Sequence, residues 1–306
     1  MTADGDPHPP RRITPLHPAR FAAPEPGFPL TDAGIIALVQ DALDEDGADR
    51  DVTTVSTVLA GHRARARLVA RANGVVCGVP LALAAFRLLD PEISIRVDAE
   101  DGTAVRAGED VLFLSGRARG LLTAERTALN FMHRLSGIAT LTRQYVQAVA
   151  GTNAKIVDTR KTTPLWRALE KYAVRTGGGT NHRFSLADAV LIKDNHLAAA
   201  GGDVAEAVRR VRAYAPPGTQ VQVECDTAEQ VRASVAAHVE SVLLDNMTPD
   251  QLRECVAIAS GHCVTEASGG VTLTTVAAIA AAGVDRISVG ALTHSAPALN
   301  LALDFE

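Results

Sequence analysis

The chain has 306 residues, 47% hydrophobic and 21% charged, with a formal net charge of -5; this is a globular composition with apolar surface for one large or two ordinary domains. The acidic balance excludes nucleic-acid binding through a global basic field, so any anion site must come from local clustering. No run of 18 apolar residues is long enough for a membrane span, and Cys77, Cys225, Cys255 and Cys263 lack zinc-ligand or C-x-x-C spacing, which predicts buried thiols in a reducing cytoplasm.

Residues 1–29 hold eight of the fifteen prolines and show no periodicity, so a disordered extension is expected there. Arg11 and Arg12 are not followed by an apolar run and do not read as a twin-arginine signal. Apolar residues at Ile35, Leu38, Val39 and Ala42 predict a helix over 31–44 with Thr31 or Asp32 as N-cap. Residues 63–70 alternate charged and apolar side chains, the pattern of a half-buried antiparallel strand. A helix over 81–89 lies between further strands at 93–97 and 111–116. Residues 120–149 read as one long or broken helix, with Gly137 as kink or boundary. Together, 30–136 predict an N-terminal α+β sandwich domain, to which 296–306 is a candidate to return.

Beyond residue 154 the pattern changes. Short continuous apolar runs at 155–158, 189–192, 220–224, 241–244, 263–266 and 286–289 alternate with helical segments. Their starts lie about 20–35 residues apart, the span of a βα unit. Unbroken apolar runs suit parallel strands covered on both faces. The expected fold is therefore α/β, an incomplete TIM-like βα barrel of about six parallel strands over 137–295. Nearly every run ends in a chemically useful group: Asp158 to Lys161, Lys193 to His196, Glu224, Asp245, Glu266 to Ser268, and Gly290 with Ala291. In such barrels those ends share one mouth, where the active site lies.

Residues 155–196 carry eight Lys or Arg against four Asp or Glu, a basic cluster in an acidic protein. Guanidinium suits two-pronged carboxylate binding and ammonium suits phosphate, so Arg160, Lys161, Arg183 and Lys193 predict an anion site, with His182 nearby. Arg167, Lys171 and Arg175 are expected on solvated helix faces. Gly177 to Gly179 match neither a Walker loop nor a dinucleotide fingerprint and predict a turn or a close backbone approach. Ser268-Gly269-Gly270 and Val289-Gly290-Ala291 follow the last two barrel strands. With a helix expected over 271–282, the first set should aim amides at a phosphate from a helix N-terminus. Glu224 and Asp245, on adjacent strand ends, could perform acid-base work, hold a metal or grip ribose hydroxyls. Lys193 alone would also suit a Schiff-base aldolase.

Taken in order, Asp158-Thr-Arg-Lys-Thr, Glu170 to Gly179, Asn181-His-Arg, Leu191 to His196, Glu224, Leu244 to Met247, Ser268-Gly-Gly and Val289-Gly-Ala resemble the quinolinate phosphoribosyltransferase family. The resemblance runs from Asp51 to Asp304. It implies transfer of the phosphoribosyl group of phosphoribosyl pyrophosphate to quinolinate with decarboxylation, giving nicotinate mononucleotide, pyrophosphate and carbon dioxide. By that resemblance Arg160, His182, Arg183 and Lys193 hold quinolinate, and Thr159 joins the substrate-binding set. Lys161, Glu224, Asp245, Ser268, Gly269, Gly270, Val289, Gly290 and Ala291 take the phosphoribosyl and pyrophosphate side. It further implies Mg2+, held mainly by substrate with Glu224 and Asp245 as candidate ligands, and a homodimer or higher oligomer whose sites receive Arg126 from the neighbouring subunit. The alternatives are a paralogue acting on another pyridine acid, the Lys193 aldolase, and a sensor that binds without turnover. One departure stands out: the family usually has glycine after the proline, where this chain has Leu165 after Pro164.

Overall fold

In this computed structural model the protein is described from Gly27 to Glu306. The extension expected at 1–29 otherwise lies outside the described residues; at its end, Phe28 packs edge-on against Tyr172, with ring centroids 5.1 Å apart.

The first helix, α1 (Asp32–Glu45), starts where the Thr31 hydroxyl accepts the Gly34 amide at 3.2 Å, so Thr31 is the N-cap. A 3-10 turn and α2 (Val52–Thr57) lead into β1 (Arg63–Ala70), β2 (Gly74–Val75), α3 (Val79–Leu89), β3 (Ser94–Val97), β4 (Ala104–Val105) and β5 (Asp110–Arg117). β1 lies between β5 and the last strand of the chain, Leu301–Phe305, and β3 borders β5, all antiparallel. Ala66, Leu68 and Ala70 of β1 are fully buried, while Arg63 and Arg65 face solvent.

α4 (Ala118–Ala148) runs unbroken for 31 residues, so Gly137 is not a helix boundary. A Cβ there would lie 2.2 Å from the Pro297 carbonyl oxygen. The glycine is needed for the C-terminal segment to cross the helix in contact. Leu121, Met132, Leu135 and Ile138 on this helix are fully buried, and truncating any one to Ala would cost about 2–5 kcal/mol.

The second half contains β6 (Lys155–Val157), α5 (Arg167–Thr176), β7 (Val190–Ile192), α6 (Asp194–Ala199), α7 (Val204–Tyr214), β8 (Val221–Cys225), α8 (Ala228–Ala236), β9 (Ser241–Asp245), α9 (Pro249–Ala259), β10 (Val264–Ser268), α10 (Val276–Ala281), β11 (Arg286–Ser288) and α11 (Ala291–His294), before the final β12 (Leu301–Phe305). Six parallel strands pair in the order β6-β11-β10-β9-β8-β7. β6 and β7 do not pair with each other. Thr180 fills the place beside β6 instead: its amide donates to the Ile156 carbonyl at 2.8 Å and its carbonyl accepts the Asp158 amide at 3.2 Å. The sheet is thus an open barrel of six strands, with residues 177–189 in the gap. Gly177 packs against α4, since a Cβ would meet the Ala139 carbonyl oxygen at 2.4 Å; this is the close backbone approach expected of the triple glycine.

Candidate active site

Side chains alternate between the two faces of a strand, so positions two apart share the lumen. On β8 those are Gln222 and Glu224. Gln222 Nε2 donates to Glu266 Oε2 of β10 at 3.1 Å, across the intervening β9, which requires both side chains to lie inside the barrel. Glu224 therefore faces the lumen one step nearer the mouth. Asp245 pairs in register with Ser268, both at strand ends. Burial first, then the nearby Asp245 charge, hold the Glu224 carboxyl above its ordinary value, against the attraction of Lys193. Two like-charged carboxylates and an ammonium thus share one rim.

Three guanidinium groups gather beside them. Arg167 donates from Nε to Thr162 Oγ1 at 3.0 Å and from Nη1 to the Phe184 carbonyl at 3.0 Å. Arg183 donates from Nη1 to the Ala189 carbonyl at 3.0 Å. Burial, then the charge of Arg160, lowers both pKa values from the usual arginine range. Arg160 Nε is buried without a hydrogen-bond partner. Among the described residues none of the three forms an ion pair. The Asp188 charge opposes the shift on Arg183, but three cations that repel one another and form no ion pair still make a preformed anion site. Arg167 was expected on a solvated helix face; it lines this cluster instead.

Lys171 and Arg175 depart from that expectation too. Lys171 is fully buried and donates to Asp158 Oδ1 and, at 3.0 Å, to the His182 carbonyl. Asp158, also fully buried, further accepts Asn181 Nδ2 at 2.5 Å and the His182 amide at 2.9 Å. Burial drives Asp158 up and Lys171 down, each toward its neutral form, and their mutual attraction opposes both. Arg175 Nη1 donates to Asn181 Oδ1 at 2.7 Å. The polar face of α5 is thus spent on pinning residues 181–183. The His182 ring sits 3.1 Å from Gln222 Oε1 and 3.4 Å from Glu266 Oε2. Burial would raise Glu266, but the His182, Gln222 and Ser288 side chains outweigh it and hold it low. Of this floor, Asp158 and Glu266 were expected only as strand-end groups, Lys171 was expected in solvent, and Gln222 was not singled out. The signal for Gln222 was a polar residue between two valines of a barrel strand.

The phosphate side departs from expectation in one respect. α10 begins only at Val276, so Ser268 to Gly270 do not cap a helix. They form a loop in which Gly269 and Gly270 take φ of 93° and 58°, a conformation open to glycine. A Cβ on Gly269 would lie 2.2 Å from Asn246 Oδ1, so this turn is also a packing necessity. Gly290 has ordinary φ, but a Cβ there would meet Lys161 Cδ and His294 Nε2, each at 3.2 Å. Lys161 and His294 therefore converge on the Gly290 turn; His294 was not singled out from sequence. Val289 is buried and its amide donates to the Val157 carbonyl at 3.0 Å, and Ala291 opens α11. Thr159 Oγ1 accepts the Lys161 amide at 3.1 Å, a role in shaping the loop. Lys193 and the adjacent His196 are exposed beyond β7.

Arg126 stands apart. It is exposed on α4, its side chain 60% accessible, and its nearest carboxylate is Glu125 at 4.0 Å. Leu165 adopts φ of 68° and is 90% exposed, which explains why glycine suits this place. Trp166 stacks on Phe131, with centroids 5.4 Å apart.

Two family models match the chain. The quinolinate phosphoribosyl transferase N-terminal domain covers residues 51–136 and the C-terminal domain covers 138–304. A probable nicotinate-nucleotide pyrophosphorylase (carboxylating) of Synechocystis is 47% identical over 245 residues, 79% of this chain and 83% of that protein. The corresponding enzyme of Mycobacterium leprae is 47% identical over 259 residues, 83% of this chain and 90% of that one. Among solved structures, the nicotinate-nucleotide pyrophosphorylase from Francisella tularensis superposes with a TM-score of 0.86 at 35% identity, covering 92% of this chain and all of that one.

Proposed function

The chain belongs to the quinolinate phosphoribosyltransferase family, and from that premise we propose how its own residues perform the transfer of a phosphoribosyl group to quinolinate with decarboxylation. The observation that carries the reading is the mutually repelling cluster of Arg160, Arg167 and Arg183, which form no ion pair among the described residues, together with the Glu224–Asp245 rim. A pyridine dicarboxylate supplies the missing negative charge, and guanidinium forks match its carboxylates. Lys193 stands on the same rim.

Phosphoribosyl pyrophosphate lies on the other side, its phosphates facing Lys161, the Gly290 turn and the Ser268–Gly270 amides. The ring nitrogen of quinolinate attacks the anomeric carbon while the bond to pyrophosphate breaks. Positive charge develops on the ribose, and Glu224 and Asp245 are placed to stabilise it or to hold its hydroxyls. The quaternised ring then accepts the electron pair of the C2 carboxylate bond, carbon dioxide leaves, and a proton takes its place. Glu224 and Asp245 offer hard oxygen donors that suit Mg2+, with the remaining ligands supplied by pyrophosphate; the ion would neutralise the leaving group. Arg126, turned to solvent in one chain, completes the site of a neighbouring copy in a homodimer. No helix among the described residues is long and apolar enough to cross a membrane, and the cytoplasm is the proposed compartment.

The test is direct. Incubation with quinolinate, phosphoribosyl pyrophosphate and magnesium should yield nicotinate mononucleotide and stoichiometric carbon dioxide. Faster turnover of nicotinate than of quinolinate would favour the paralogue, and borohydride trapping at Lys193 would favour the aldolase.

A further inference from the structure

Four hydrogen bonds converge on Glu170, a fully buried carboxylate of α5. Arg134 of α4 donates from Nε at 3.2 Å and from Nη2 at 2.6 Å, and Thr163 donates from Oγ1 at 2.9 Å and from its amide at 3.1 Å. Arg134 Nη2 also reaches the carbonyl of Thr293 in α11. The Thr293 hydroxyl, itself fully buried, donates to the Lys161 carbonyl at 2.8 Å. These contacts close a ring: Lys161, Thr293, Arg134, Glu170 and Thr163, then back along the chain. The loop after β6 is held at both ends, and the segment after β11 is tied to it. The Lys161 stem meanwhile crosses the Gly290 turn in contact.

Resting on the functional reading above, we propose that Arg134, Glu170 and Thr293 are positioning residues that keep the Lys161 ammonium in register with the Gly290 turn, and so set the geometry of the phosphate side of the site. The Glu170 carboxylate accepts from Arg134 and Thr163, and the Thr293 hydroxyl donates to the Lys161 carbonyl, so these groups are engaged within the ring. Their effect passes through the placement of Lys161, and small misplacements of a reacting group are costly.

Thr293→Val removes one hydroxyl at nearly constant volume, and Thr293→Ser restores it. With Val, kcat/KM for phosphoribosyl pyrophosphate should fall about tenfold, the rate equivalent of one lost hydrogen bond. Its KM should rise more than that for quinolinate, and Ser should regain most of the loss. Where Thr293→Val fails to fold, Thr163→Val serves, since Thr163 is exposed and its hydroxyl is the far link of the same ring; the same kinetic split is expected. Unchanged kinetics, equal rises in both KM values, or a Ser variant as impaired as Val would each overturn the lock. Wild-type protein that does not turn over these substrates refutes the functional reading itself; wild-type turnover with an unaffected Val variant refutes only the lock.

Discussion

Replacing Lys171 by Met tests the floor of the site. The substitution keeps the length of the stem but deletes the ammonium, leaving Asp158 buried without a charge partner and the His182 carbonyl without this donor. Breaking a buried ion pair from one side costs about 3–5 kcal/mol. Asn181 and the His182 amide still donate to Asp158, which places the expected loss near the lower end, about 3 kcal/mol. That is about a fifth to three fifths of the roughly 5–15 kcal/mol that holds a typical domain together, and it should lower Tm by about 6 °C in a chain of this size. Urea unfolding should show a lower midpoint at unchanged slope. Adding Asp158→Asn removes the orphaned charge, so the double variant should recover much of the loss. The sign of the pH effect follows from burial. Asp158 already sits above its ordinary value, and without Lys171 it rises further. The carboxyl of the single variant therefore takes up a proton as pH falls through that raised value, and its deficit against wild type shrinks. A Lys171→Met protein as stable as wild type at neutral pH, or one whose deficit grows on acidification, would refute the buried pair.

Arg160→Lys keeps charge but loses the planar fork, so the KM for quinolinate should rise about tenfold or more, with less effect on that for phosphoribosyl pyrophosphate; equal effects would remove Arg160 from the acid pocket. Glu224 sits above the ordinary glutamate value because of burial and the Asp245 charge, so activity needing its anion should fall on the acid side at a pH above that value. Asp245→Asn should move that acidic limb downward in a pH-rate profile, and an unmoved limb would break the link. Leu165→Gly relieves a left-handed residue that is 90% exposed and should stabilise by about 1 kcal/mol in urea unfolding; destabilisation would mean that Leu165 makes a contact that matters. Mixing Arg126→Ala with Lys161→Ala subunits should restore activity well above either alone if Arg126 acts in trans, and no gain after proven subunit exchange would end that proposal.

Much of this protein was legible without coordinates because the informative signals are local. Short valine-, leucine- and isoleucine-rich runs at βα spacing marked the six barrel strands, although β8 alternates Gln and Val. The groups at their ends marked the mouth, because those ends meet on one side. Thr31 as cap and Gly177 as a close approach follow from steric and hydrogen-bonding rules that span a few residues. What remained hidden depends on which surface a helix is turned toward. On α5 the charged stripe of Arg167, Lys171 and Arg175 has the spacing of a solvated face, and polar faces usually meet water. Here that face meets the gap of an open barrel, where Asp158, Asn181 and the Phe184 carbonyl replace water as partners. The same holds for Gly137, whose role was set by Pro297, 160 positions further along the chain. A glycine within a long helical stretch suggested a kink or boundary; only the crossing of the returning segment shows why a side chain has no room there.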